Sequence, residues 1–274
     1  MSLPKPPSSE VDPFAGLRVA TRARIGLGRA GDALPTEALL DFQAAHARAR
    51  DAVHGVVDFA RIAEQLQPLP SLLLRSRAPD RTSYLRRPDW GRRLHADDLP
   101  LLTAQRGDYD LALVVADGLS AAAVNAHAAP FIVELLRRIP NWKLAPVVLA
   151  QQARVALGDE VAQTLGARLV VVLIGERPGL SIADSLGIYL TWEPHLGRAD
   201  SERNCISNIH GDGLSYTQAA DTLSWLMSEA RARHLTGIEL KVDAAAALAH
   251  AGEQATPLPS LVRHPTPKQK APGS

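Results

Sequence analysis

The chain has 274 residues, a formal net charge of +1 and a single cysteine, a length that suits one large or two modest domains. The near-zero charge supplies no strong field to draw in nucleic acid or an anionic membrane. The lone Cys205 excludes an internal disulfide and fits a reducing compartment, and no apolar run reaches the roughly 18 residues needed to span a bilayer.

Residues 1–14 are rich in Pro and Ser, lack an apolar signal core and read as disordered, so the protein is expected to be soluble and cytoplasmic. Thr36, behind Pro35, is placed to cap a helix running to His54, with Gly55 as its stop. Leu39, Phe42, His46 and Val53 fall roughly on one face of that helix. His46 and His54 are too far apart for the i, i+4 pairing of helical zinc sites. Asp58 can cap a second, shorter helix ending before Pro68. Residues 75–93 are rich in Arg and are broken by Pro79, Pro88 and Gly91, so an irregular segment is expected. Its guanidinium groups suit either phosphate or the carboxylates of a partner protein.

Strand and helix signals then alternate. Strands are predicted over 111–116, 144–150, 169–174 and 187–192, and helices over 119–139, 159–165 and 216–234. The strands are continuous apolar runs, the pattern of a sheet covered on both sides. Aromatic residues are only 4% of the chain, so Leu, Val, Ile and Ala must build the core. The fold class expected is α/β: a Rossmann-like three-layer sheet with helices on both faces, preceded by a small N-terminal helical segment. The tail 256–274 is rich in Pro and is read as disordered.

Three segments carry candidate chemistry. Asp117-Gly118-Leu119-Ser120 lies where a strand gives way to a helix, the place where open α/β sheets bind ligands. It serves either as a cap and bend or as a ligand cradle. Neither Gly-x-Gly-x-x-Gly nor Gly-x-x-x-x-Gly-Lys-Ser/Thr occurs there, which counts against NAD and nucleoside triphosphates. Gly175-Glu176-Arg177-Pro178-Gly179 ends a second apolar run. It reads as a turn with a surface ion pair, or as a site in which Glu176 accepts hydrogen bonds from an amide- or hydroxyl-rich ligand. In Arg203-Asn204-Cys205-Ile206-Ser207-Asn208-Ile209-His210 the thiol suits a nucleophile, a metal ligand or a packed small side chain. A catalytic thiol needs a base that His210, five residues on, does not by itself provide.

Several ordered strings resemble one family. Ala23-Arg-Ile-Gly-Leu-Gly-Arg-Ala-Gly31, Asp41-Phe-Gln-Ala-Ala-His46, Tyr84-Leu-Arg-Arg-Pro-Asp89, Asp117-Gly-Leu-Ser120, Arg154-Val-Ala-Leu-Gly-Asp159, Leu173-Ile-Gly-Glu-Arg-Pro-Gly-Leu180 and Cys205-Ile-Ser-Asn-Ile-His210 are similar to the small (light) subunit of ethanolamine ammonia-lyase. The resemblance runs from about residue 23 to 241. It implies a subunit of an adenosylcobalamin-dependent lyase that converts ethanolamine to acetaldehyde and ammonia through a 5′-deoxyadenosyl radical. It also implies a large-subunit partner, with the substrate in that subunit's (β/α)8 barrel and the cobalamin at the interface of a hetero-oligomer of paired large and small subunits. Carried onto this chain, Val155, Glu176 and Cys205 are the implied cofactor contacts, with no catalytic residue and no metal ligand here. The chain lacks Asp-x-His-x-x-Gly, so the cofactor is expected base-on, with its own dimethylbenzimidazole on cobalt. Enclosure in a bacterial microcompartment is left open.

The implied organisation is a disordered segment at 1–22, a helical and Arg-rich interface region at 23–100, an α/β cobalamin-binding domain at 101–255 and the tail. The competing reading is a stand-alone Rossmann-like nucleotide-binding domain, or a regulatory subunit.

Overall fold

The structure is a computed structural model that describes residues 13–241. The Pro-rich tail, the first part of the N-terminal segment and the last residues of the expected α/β domain lie outside the described residues. The first helix, α1 (Ala15–Ala20), buries none of its side chains. Helix α2 (Thr36–His54) has the expected extent, but Pro35 is the cap residue and no side chain caps it. Proline's fixed φ holds Pro35 extended at the boundary, which leaves Thr36 as the first helical residue. Only Ala45 and Ala52 of α2 are buried. Its expected apolar face is largely unpacked: Leu39, Phe42 and His46 are exposed and Val53 is half-buried.

Helix α3 (Phe59–Gln65) is capped as its sequence predicts, the Asp58 carboxylate accepting from the Arg61 amide at 3.0 Å. Phe59, Ile62 and Leu66 enter the main core. Strand β1 (Ser71–Arg75) follows, in a stretch where the sequence signalled no element. It is short and bounded by Pro70, so periodicity has little to act on. Helix α4 (Arg81–Arg86) starts on an Asp80 cap inside the Arg-rich segment, and α5 (Leu99–Thr103) has a proline in its first turn.

Strand β2 (Tyr109–Ala116), helix α6 (Ala121–Leu136), strand β3 (Val147–Gln151), helix α7 (Leu157–Leu165), strand β4 (Ala167–Gly175) and strand β5 (Leu186–Trp192) match predicted elements to within a few residues. Gly166 ends α7 in the left-handed conformation, as a helix-stopping glycine should. Strand β6 (Asn204–Ile209) was not anticipated. It is half-buried, with Ile206 and Ile209 inside and Cys205 and Ser207 outside, too few apolar positions to signal a strand. Helix α8 (Tyr216–Arg233) opens on a Ser215–Gln218 capping box.

These elements make a mixed α/β fold on a six-stranded sheet in the order β1-β3-β2-β4-β5-β6. The first four strands are parallel, and β5 and β6 add an antiparallel wing. Strand β1 comes from the region expected to be helical, and it pairs with β3 from Ser71↔Val147 to Arg75↔Gln151. Alternate residues of β2 enter two clusters. Leu111, Leu113 and Val115 pack with side chains of α3, α6 and α8. Ala112, Val114 and Ala116 pack with side chains of α5 and α7. The carboxyl ends of β2, β3 and β4 thus share one edge with the start of β5 and the end of β6.

Candidate functional site

Two glycines make the strand ends interlock. Gly118 follows β2 with φ +59°, and a Cβ there would collide with the carbonyl of Gly175. A Cβ at Gly175 would collide with the backbone of Ser120. The Leu119 amide donates to the Gly175 carbonyl at 2.8 Å. The Ser120 hydroxyl accepts from the Ala123 amide at 3.1 Å and donates to the Ala183 carbonyl at 2.7 Å. It therefore caps α6 and pins the loop that follows β4.

Asp117 is engaged within the protein. Its buried carboxylate accepts from the amides of Gln152 at 2.8 Å and Ala153 at 2.9 Å, with Arg81 at 3.9 Å. Burial pushes its pKa up, against the pull of the two amides and Arg81. Its role is to fasten the β3–α7 loop to the end of β2, which leaves it ill-placed to meet a ligand.

A cleft of about 430 Å³ opens beside this junction, lined by Val155, Glu176, Tyr189, Arg154, Gly118 and Gly175 among others. Val155 and Glu176, expected to act together, line the same cleft. The Ser185 hydroxyl donates to Glu176 Oε2, and the Asn208 amide approaches it at 3.4 Å. Asn208 reaches it through a bulge: the β5–β6 register shifts between Leu186 and Ile188, and Asn208 has φ +65°. Such a bulge turns a backbone amide out of the ladder. Among the described residues no donor reaches Glu176 Oε1.

Cys205 stands one strand beyond the cleft wall, opposite Tyr189 in the β5–β6 pairing. The residue is exposed, yet desolvation raises the thiol's pKa, with Tyr189 opposing and the Glu176 charge adding to the rise. Desolvation, reinforced by Cys205, likewise raises the Tyr189 hydroxyl to about 12. His210 is no base for the thiol. Its Nδ1 accepts from the Asp212 amide at 3.3 Å, which leaves Nε2 to donate to Asn208 Oδ1 at 2.8 Å. A protonated thiol without a base is not an activated nucleophile.

The opposite wall was not legible as part of a site. The Tyr84 ring is buried against two guanidinium groups, Arg81 at 4.7 Å and Arg154 at 4.5 Å from its centroid. Tyr84 and Trp90 are the two aromatic residues of the Arg-rich segment, and only the fold brings Arg154 onto Tyr84. A buried ion pair lies behind the cleft. Arg203 donates to both oxygens of Asp159 at 2.7 Å and to Thr191 Oγ1 at 3.0 Å, tying α7 to β5 and β6. A larger cleft of about 950 Å³ lies between α1 and α2, away from the sheet edge. Among the described residues no group of three or more His, Cys, Asp or Glu is placed to hold a metal ion, and no helix is long and apolar enough to cross a membrane.

Residues 11–241 match the family of the ethanolamine ammonia-lyase light chain. An ethanolamine ammonia-lyase small subunit of Pseudomonas fluorescens is 52% identical over 259 residues, covering 92% of this chain and 94% of the relative. The small subunit of Pseudomonas putida is 54% identical over 241 residues, covering 85% of this chain and 89% of the relative. That of Azotobacter vinelandii is 53% identical over 246 residues, covering 87% and 91%.

Proposed function

The chain belongs to the ethanolamine ammonia-lyase light-chain family and is thus a subunit of an ammonia-lyase; from that premise we propose that it forms one wall of an adenosylcobalamin site completed by the large subunit. When bound, the cofactor would supply radical chemistry, and the protein's part is to bind it, orient it and exclude water. The architecture is read as a Rossmann-like three-layer arrangement with the ligand at the carboxyl edge, the usual place in such sheets.

The observation that carries this reading is Glu176. Its Oε2 is fixed by Ser185 and Asn208, while Oε1 is left without a donor at the cleft wall. The corrin is rimmed by amide side chains, which are donors as well as acceptors, so a fixed carboxylate oxygen suits them. Val155 supplies an apolar face, and Cys205 a small neutral group beside Tyr189. A corrin is too broad to be enclosed in this cleft, which supports a shared site between two subunits. The cofactor is read as base-on, with its own dimethylbenzimidazole on cobalt, so that no side chain of this chain is asked to ligate cobalt.

The test is reconstitution. The chain alone, supplied with ethanolamine and adenosylcobalamin, should release no acetaldehyde or ammonia. The chain with the large subunit should turn over. Activity of the chain alone would overturn the division of labour.

A further inference from the structure

We propose that Arg154 receives the phosphodiester of the cofactor's nucleotide loop, an inference that rests on the cobalamin reading above. Arg154 is held from several sides. Its amide donates to the Gly91 carbonyl at 2.8 Å, its guanidinium stacks on Tyr84 at 4.5 Å, and its Nη2 donates to the Tyr84 carbonyl at 3.3 Å. A Cβ on Gly91 would crowd both Arg154 Cγ, at 2.8 Å, and the Tyr84 ring, at 3.0 Å, so glycine there lets the stack form.

For all this fixation the cation lacks an anion. Arg154 has no carboxylate partner among the described residues, and its Nε is buried without a hydrogen-bond partner. The two carboxylates lining the cleft are engaged elsewhere. Glu176 is held by Ser185 and Asn208, and Asp200 lies 3.3 Å from Arg203 and 3.7 Å from Arg92. The buried Nε–H of Arg154 costs stability, and among the described residues no carboxylate neutralises the charge of the side chain's outer end. The stack on Tyr84 holds the guanidinium in place without neutralising its charge. A guanidinium fixed at a cleft wall with no carboxylate partner is suited to a phosphate oxygen, which its terminal N–H groups can meet. Cobalamin carries one such anion, between its corrin side chain and its lower base. Glu176 and Arg154 would then divide the ligand, the carboxylate taking amide donors and the guanidinium taking the anion.

The experiment titrates the complex of this chain with the large subunit, following the absorption spectrum, with three probes: hydroxocobalamin, cobinamide phosphate, and cobinamide, which lacks both phosphate and base. The parent should bind cobinamide phosphate more tightly than cobinamide. Arg154→Met, which keeps an unbranched chain against Tyr84, should leave cobinamide affinity within about twofold. It should weaken cobinamide phosphate and hydroxocobalamin by about 10–100-fold, the range for a lost charged hydrogen bond. Arg154→Lys should fall between the two. Equal affinity of Arg154→Met and parent for cobinamide phosphate overturns the inference, as does an equal loss for all three probes. So does weaker assembly of the subunits in the absence of cofactor with no selective loss for the phosphate-bearing probes, which would make Arg154 a contact to the partner protein. A parent complex that binds none of the probes overturns the cobalamin reading itself.

Discussion

Gly175→Ala tests the junction that shapes the candidate site. The added methyl would collide with backbone atoms of Ser120, not with a side chain that can swing away. Strand β4 would have to withdraw from the start of α6. That separation strains the hydrogen bond from the Leu119 amide to the Gly175 carbonyl, 2.8 Å in the parent. Overpacking of a well-filled site costs about 1–3 kcal/mol, and a lost backbone hydrogen bond adds roughly 1 kcal/mol. Together they predict destabilisation of about 2–4 kcal/mol. Urea unfolding of parent and variant, followed by circular dichroism, measures it. Because Glu176 is the next residue, cobalamin affinity of the complex should fall as well. A variant within about 0.5 kcal/mol of the parent, the range of an ordinary surface substitution, would refute the reasoning.

The buried Arg203–Asp159 pair gives a second expectation. Arg203→Met leaves Asp159 buried and uncompensated, and should cost about 3–5 kcal/mol in unfolding experiments, whereas Arg203→Met with Asp159→Leu should recover most of it. A double variant no more stable than the single would contradict the pairing argument. For Cys205, desolvation raises the thiol's pKa, so the thiolate fraction at neutral pH is small. Alkylation by iodoacetamide should be slow at pH 7, accelerate above the ordinary thiol range, and be suppressed by bound cobalamin. Fast labelling at pH 7 would contradict the assignment. Cys205→Ala should keep substantial turnover in the reconstituted complex and mainly alter cofactor affinity; complete loss at saturating cofactor would give the thiol a chemical role.

What the sequence made legible follows from periodicity and punctuation. The long apolar runs of β2 and β4 and the glycine stop after α7 announce themselves over short windows. Strands β1 and β6 do not, because one is a five-residue run beside prolines and the other is a half-buried edge whose Cys, Ser and Asn residues look like loop. The face of α2 was misjudged because apolar spacing predicts that a surface will be covered without saying by what. Leu39, Phe42 and His46 are exposed in this chain. Glu176 could be singled out from its crowded turn. The Arg154–Tyr84 stack could not, since the two residues are distant in sequence and meet only when the β3–α7 loop folds back onto α4. The roles of Ser185 and Asn208 depend on a bulge that no local pattern marks.

The most direct test is a titration of hydroxocobalamin into the complex of this chain with the large subunit, for the parent and for Glu176→Ala. The account predicts saturable binding by the parent complex, with the cofactor co-eluting on gel filtration. Glu176→Ala should bind roughly 5–150-fold more weakly, corresponding to about 1–3 kcal/mol for a lost charged hydrogen-bond partner, while the complex stays folded and assembled. Equal affinity of the variant and parent complexes would contradict the placement of the cofactor at this sheet edge.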